Sequence, residues 1–327
     1  MRIAIAGFGT VGQGFAEVLH MKSDLFGEPV KIVAAFDSKS YVTDKNGLDP
    51  LALVKRKKET GSVGTKKKVS GTAVLDSVEY DVLVEVSPTE ITTGGEGLKH
   101  IEHALKNGKD VITVNKGPLA LKFKELKKLA KKKDLMLRFE GSVGGAMPII
   151  NLCSEDLRGE RVRSIRGIFN GTCNFILSRM DNGSPFEQAL KEAQQLGYAE
   201  SDPSYDIDGI DTACKVVILA NSIFNRDVTF SDVSVTGITS VSGDAIALAA
   251  EQDMVIRLIG EVSDNVLEVS PRLIPKGHPL SVPGTLNTAQ ILTDLAGPIT
   301  ISGKGAGRIE TASAILSDLL AIMDRRR

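Results

Sequence analysis

Short apolar runs and helical patterns alternate through the first half of the chain. Arg2–Ala6 reads as a strand leading into the helical spacing of Val11–Met21, and Val30–Phe36 reads as a second strand. Val82–Val86 is a third, followed by a helical stretch over Gly95–Asn107. Val111–Val114 precedes the amphipathic stretch Leu119–Lys132, and Leu135–Phe139 closes the series. Strands alternating with helices imply a parallel sheet with helices on both faces. One segment breaks the rhythm. Ser38–Ser70 is polar and rich in Lys55, Arg56, Lys57, Lys58, Lys66, Lys67 and Lys68; it predicts a helix near Pro50–Lys58 and a mobile loop after Gly61. A second basic run, from Lys122 to Lys133, reads as a solvated helix face, because Leu121, Phe123, Leu126 and Leu129 supply an apolar stripe between the lysines.

The second half has a different pattern. Arg163–Phe169 is a strand with alternating faces, followed by helical spacing at Thr172–Met180, Pro185–Leu196 and Asp208–Asn221. Strand-like pieces recur at Asp227–Phe230, Met254–Val262 and Val266–Ile274, and Glu310–Met323 is a last helix. The expected fold class is therefore α/β, a doubly wound parallel sheet over residues 1–140 plus a second α+β domain over 141–300, with a segment 301–327 whose helix can return to the first domain.

Composition narrows the function. A length of 327 residues suits two domains, and 42% hydrophobic with 25% charged residues is ordinary for a globular chain. Forty basic residues against forty-one acidic ones leave a net charge of −1, which argues against a coat for nucleic acid or an anionic membrane. Trp is absent and aromatics are 5%, so base-stacking platforms are excluded. Cys153, Cys173 and Cys214 are too far apart for a disulfide framework or a zinc motif and read as thiols in a reducing cytoplasm. Met1–Gly7 is too short for a secretory apolar region, and no stretch reaches the roughly 18 apolar residues of a membrane span.

The candidate chemistry starts at Gly7-Phe8-Gly9-Thr10-Val11-Gly12, a G-x-G-x-x-G run between a predicted strand and a predicted helix. The first glycine makes the tight turn, the second admits a pyrophosphate, and the third lets helix and strand pack; the helix N-terminus offers N–H groups to the phosphates. The fold implied is Rossmann-type. Asp37 ends the second strand, where a carboxylate would bind the ribose hydroxyls of NAD. Ser38, Lys39, Lys57 and Lys58 nearby could instead hold the 2′-phosphate of NADP, so both cofactors stay open. Lys116, in Val114–Leu119, lies just past a strand's carboxyl end, the crevice side of such a sheet. Further on, Glu200, Asp202, Asp206, Asp208 and Asp211 precede Lys215. Asp208, Asp211 and Lys215 are spaced to share one helix face, either as a surface pair near a helix start or as a site that binds an ammonium and reduces a carbonyl.

These segments resemble homoserine dehydrogenase. The likeness is carried by Gly7–Gly12, V-N-K-G-P-L-A at Val114–Ala120, E-G-S-V-G-G-A-M-P-I at Glu140–Ile149, N-G-T-C-N-F-I-L at Asn170–Leu177, the acidic block Leu196–Lys215 and G-K-G-A-G-R at Gly303–Arg308. The resemblance implies reversible NADH- or NADPH-dependent reduction of L-aspartate 4-semialdehyde to L-homoserine, in threonine, methionine and isoleucine biosynthesis. It implies Lys215 or Lys116 as acid/base with Asp211 beside them. Glu200, Asp206, Tyr198, Gly171 and Thr172 would lie around the amino acid, and Ser87, Gly305 and Gly307 against the cofactor. It further implies a monovalent cation, sodium, at Glu140, Val143, Gly145 and Met147, and a homodimer through the second domain. Oxidation needs a neutral lysine, and a lysine ordinarily titrates near ~10.4, so it should be favoured at alkaline pH. The chain stops without the ACT-type regulatory domain of longer members, so no threonine inhibition through such a domain is expected. Two rivals are an aspartate-semialdehyde dehydrogenase using Cys173 as nucleophile, for which no histidine base is evident, and a non-catalytic dinucleotide sensor.

Overall fold

The computed structural model describes residues 1–67 and 69–326, so Lys68 of the first basic run and Arg327 lie outside the described residues. The elements run β1 (Arg2–Ala6), α1 (Thr10–Met21), β2 (Lys31–Phe36), β3 (Ser40–Leu48), α2 (Pro50–Thr60), β4 (Lys66–Lys67), α3 (Gly71–Asp76), β5 (Val82–Glu85), α4 (Gly95–Lys106), β6 (Asp110–Thr113), α5 (Lys116–Lys132) and β7 (Leu137–Arg138). There follow α6 (Ile149–Asn151), β8 (Val162–Ile168), α7 (Gly171–Asp181), α8 (Phe186–Gln195), α9 (Ser204–Ile207), α10 (Ile210–Ser222), β9 (Ser234–Val235), α11 (Gly243–Glu251), β10 (Met254–Ser263), β11 (Leu267–Pro275), β12 (Leu286–Thr293), β13 (Pro298–Lys304) and α12 (Arg308–Arg326). Two compact units result, residues 1–145 with 307–327, and residues 146–306.

The first unit is a seven-stranded sheet in the order β4-β3-β2-β1-β5-β6-β7. The five strands from β2 to β7 are parallel, and the order reverses beside β1, as in a Rossmann-type fold. Ile3, Ala4, Ile5 and Ala6 are fully buried because β1 is covered on both faces. Helix α12 packs against α1 and buries Ile315, Leu319, Ile322 and Met323 in the same core, each such side chain worth about 1.5–3 kcal/mol.

The parallel sheet is extended at one edge by two strands that the pattern did not mark. β3 and β4 are antiparallel and lie within the segment read as polar and loop-rich. Nor does the backbone after Gly61 hang loose: Val63 is fully buried, and the N–H groups of Val63 and Gly64 donate to Ser40 Oγ at 3.0 and 3.2 Å.

The second unit is a six-stranded sheet, β13-β12-β8-β10-β11-β9, antiparallel except for β9 on β11. Helix α10 packs on β10 and β11. Gly260 permits this, since a Cβ there would lie 2.9 Å from both Phe169 and Thr212. Asp227–Phe230 is not a strand: Asn221 occupies the backbone of Val228 from both sides, taking its carbonyl at 2.8 Å and its N–H at 3.0 Å. The helix expected over Asp208–Asn221 starts two residues later, at Ile210: Gly209, whose φ is +84°, separates it from the short α9, and Asp208 lies outside it. Strands β12 and β13 occupy a stretch for which the pattern suggested no element.

Candidate active site

In the first unit the three glycines behave differently from one another. Gly7 has φ +95°, and a Cβ on it would lie 2.5 Å from Val86 O. A Cβ on Gly12 would strike Gly7 O, so the third glycine seats α1 on the turn. A Cβ on Gly9 would meet nothing within 4 Å. Gly9 is the N-cap of α1 and no side chain caps that helix, so its first N–H groups face the open space. This is a turn that fits a pyrophosphate. Phe8 is fully buried and anchors the turn, while Thr10 is exposed and Val11 half-buried.

Asp37 does not stand alone. Its carboxylate accepts from Lys57 Nζ at 2.7 Å and from the N–H groups of Lys39 and Ser40 at 2.7 and 2.9 Å. Burial acts to raise its pKa, but these hydrogen bonds outweigh it and hold the carboxyl below its usual range. Ser38 and Lys39 are exposed beside it.

At the carboxyl ends of β5 and β6, Ser87 and Asn115 are tied together. Asn115 Nδ2 donates to Ser87 Oγ and to Pro88 O, both at 3.3 Å, while Asn115 Oδ1 caps α5 by accepting from Gly117 N at 3.2 Å. That cap explains why α5 begins at Lys116 rather than at Leu119, with Gly117 and Pro118 tolerated in the first turn. Lys116 is half-buried at the helix start.

In the second unit Asn170, Asp206, Asp211 and Lys215 come together. Asn170 Oδ1 caps α7 through Cys173 N at 2.8 Å. Its Nδ2 bridges two acids, Asp206 Oδ1 at 2.6 Å and Asp211 Oδ2 at 3.0 Å. Lys215 Nζ donates to Asp211 Oδ2 at 2.7 Å and to Phe169 O at 2.6 Å. The side chains of Lys215 and Asp211 are 8% and 9% exposed, so the surface-pair reading is overturned: α10 turns this face inward. Asp208 does not share that face, because it lies before Gly209 at the end of α9. Burial first, then the neighbouring Asp211, raises the Asp206 carboxyl above its ordinary value, against the Asn170 hydrogen bond.

Of the other residues around this cluster, Thr172 is buried, whereas Gly171, Tyr198 and Glu200 are more open. Thr172 Oγ1 donates to Tyr198 O at 2.7 Å, and Gly171 sits against Thr285 O. Tyr198 is 45% exposed and lies edge-on to Phe175; Glu200 is exposed, its backbone carbonyl accepting from Gln194. Cys173 is no nucleophile: burial, then Asp206 and Asp211, push its thiol well up, and Sγ donates to Asp206 O at 3.1 Å.

The remaining candidates are distributed over both units. Glu140 is buried in a short 3-10 turn, its N–H on Asp318 Oδ2 at 3.0 Å; Val143 is buried and Gly145 has φ +59°. Met147 is buried below Gly303. Gly305 is backed by Asn287, and Gly307 has φ +140°. Among the described residues, no three His, Cys, Asp or Glu side chains are grouped to hold a metal. No helix among them is long and apolar enough to cross a membrane.

Three residues were not singled out from sequence. Asn170 stood in a recognised motif, but only the fold shows it bridging two acids. Glu85 and His100 meet at 2.7 Å beneath Ser87; the histidine lay on a helix outside every dense motif.

Residues 7–140 match the family model described as homoserine dehydrogenase, NAD binding domain, and residues 148–320 the model described as homoserine dehydrogenase. The chain is 49% identical to homoserine dehydrogenase of Methanocaldococcus jannaschii, covering 98% of each. It is 36% identical to the NAD(+)-dependent homoserine dehydrogenase of Pseudomonas canavaninivorans, over 98% of this chain and 96% of the relative. A hyperthermophilic archaeal homoserine dehydrogenase in complex with NADPH superposes with a TM-score of 0.87 at 30% identity, covering 99% of this chain and 98% of the other.

Proposed function

The chain belongs to the homoserine dehydrogenase family, and on that premise we propose that it interconverts L-aspartate 4-semialdehyde and L-homoserine with Lys215 as acid/base. It is an NAD(P)-dependent oxidoreductase. The observation that supports Lys215 is its burial between Phe169 O and Asp211, which uses two of the three ammonium N–H bonds and aims the cation from a rigid helix.

A nicotinamide cofactor, when bound, would supply the hydride for reduction and take it up for oxidation. The rest is the work of this chain's residues. As the aldehyde is reduced, negative charge develops on its oxygen; the third Lys215 N–H stabilises it and passes a proton to it. Asp211 keeps the lysine in place, and Asn170 Nδ2 donates to both Asp211 and Asp206. Glu200 and Asp206 are assigned to the substrate ammonium, with Tyr198, Gly171 and Thr172 beside it. Gly7–Gly12 cradles the pyrophosphate, and Asp37 with Ser38, Lys39 and Lys57 meets the adenosine ribose. Ser87, Lys116, Gly305 and Gly307 serve the nicotinamide side. Because Asp37 is neutralised by Lys57, NAD and NADP both fit this reading.

The proposal extends to a sodium ion held by Glu140, Val143, Gly145 and Met147, to a homodimer, and to a cytoplasmic role in threonine, methionine and isoleucine synthesis. The burial of all three cysteines supports the compartment. Consumption of NADH or NADPH with aspartate semialdehyde, without phosphate, tests the reaction. A Lys215→Ala variant that binds cofactor but keeps near-normal turnover sinks the acid/base assignment. Replacing sodium by choline tests the ion.

A further inference from the structure

Glu85 is a fully buried carboxylate at the carboxyl end of β5, the strand beside β1 where the sheet order reverses. Its Oε1 accepts the N–H of Ser87 at 2.8 Å and also the Ser87 hydroxyl. Its Oε2 meets His100 Nδ1 at 2.7 Å. His100, on α4, is 4% exposed, and its other nitrogen, Nε2, is buried with no hydrogen-bond partner. That nitrogen points at Gly71, where even a Cβ would collide. Orphaned buried N–H groups are rarer than orphaned acceptors, so the ring proton belongs on Nδ1, donating to Glu85. Phe36 packs against the imidazole with ring centroids 5.3 Å apart and fixes its plane.

The consequence falls on Ser87. Both of its donors, N–H and O–H, are committed to Glu85, and Asn115 Nδ2 donates to the same hydroxyl oxygen. Ser87 therefore has nothing to give a phosphate. What remains is a lone pair, which can only accept. With the pyrophosphate on the Gly7 turn and Asp37 at the adenosine ribose, the end of β5 faces the other half of the dinucleotide. The donors that half carries are ribose hydroxyls and the carboxamide NH2.

We propose that Glu85 and His100 are positioning residues that make Ser87 an obligate hydrogen-bond acceptor for the nicotinamide half of the cofactor. They act through Ser87 without touching the ligand. This rests on the dinucleotide reading of Gly7–Gly12, and the test keeps the two apart.

The test is a set of fluorescence titrations of NADH and NADPH, with ADP as a probe lacking the nicotinamide half. Glu85→Gln should weaken reduced-cofactor binding about tenfold, the range of a charge-assisted hydrogen bond, and leave ADP affinity within about twofold. In a Ser87→Ala background the same change should add less than about twofold, since interacting residues are not additive. His100→Asn, which keeps an N–H near the position of Nδ1, should retain affinity that His100→Leu loses; this pair serves if Glu85→Gln fails to fold. Equal losses for ADP and NADH, or additive effects of Glu85 and Ser87, would overturn the proposal while leaving the cofactor site intact. A wild-type protein that binds neither reduced dinucleotide would overturn both readings.

Discussion

Lys215→Met is the most direct test of the acidic cluster. Lys215 is 6% exposed and holds Asp211 and Phe169 O together. Methionine has a similar volume, so the loss is chiefly of charge. Removing one partner of a buried pair costs about 3–5 kcal/mol; Asn170 still donates to Asp211 at 3.0 Å, which favours the lower end. At about 3 kcal/mol the unit formed by residues 146–306 should melt roughly 6–12 °C lower. The rate should fall further than stability suggests. A donor to a developing oxyanion is worth about 10²–10³ in kcat, and proton transfer a comparable factor, so a loss of at least ~10³ is expected. The control is the double variant Asp211→Asn with Lys215→Met. It removes both charges, and replacing a whole buried pair is often nearly neutral. It should recover most of the lost melting temperature and none of the rate, with cofactor binding unchanged in both variants. Calorimetry and initial rates of reduced-cofactor formation from homoserine read these outcomes. A double variant with kcat within about tenfold of wild type, or a single variant as stable as wild type, would refute the reasoning.

Three further outcomes follow from the geometry. Asp206 has a raised carboxyl, so its ionisation destabilises the folded state once pH rises above the ordinary carboxylate range; Asp206→Asn should therefore raise the melting temperature at neutral pH, with the gain fading at acid pH, while homoserine turnover falls. Gly9→Ala should fold normally, its Cβ in open space, yet bind cofactor poorly by isothermal titration, whereas Gly7→Ala should lose stability because its φ is +95°. Lys57→Ala should weaken NADPH more than NADH in parallel titrations. It should also remove a stabilisation that wild type has above the carboxylate range and loses as acid titrates the depressed Asp37.

The parallel strands and the glycine turn were legible because each leaves a local mark, apolar runs for doubly covered strands and glycines where φ is positive or space is tight. The antiparallel edge was not. Ser40–Leu48 carries Asp44, Lys45 and Asn46, all exposed, and its pairing with β2 and β4 makes it a strand. The same holds for β13, whose residues alternate between half-buried and exposed, so no apolar run marks it. Spacing placed Asp211 and Lys215 together correctly, but whether the face is inside or out is decided by α10 lying on β10 and β11, a contact between residues far apart in sequence. His100 was illegible for the same reason: its partner Glu85 belongs to a different element.

The charges of the cluster also point to the kind of ligand it takes. Asp206 and Asp211 contribute two carboxylates, Lys215 one cation, and Asn170 a neutral amide that touches both acids. With both acids ionised a net negative charge would be buried, and burial with like-charge repulsion is what raises Asp206. A ligand ammonium would complete the balance and stabilise the ionised form of Asp206. In the pH range where Asp206 titrates, binding of homoserine should therefore be accompanied by proton release that fades once the pH is high enough to ionise it unliganded, read as a buffer-dependent heat in calorimetry. 4-Hydroxybutyrate, which lacks the ammonium, should show no such release. Equal proton release with both compounds would mean that the second acid serves the fold alone.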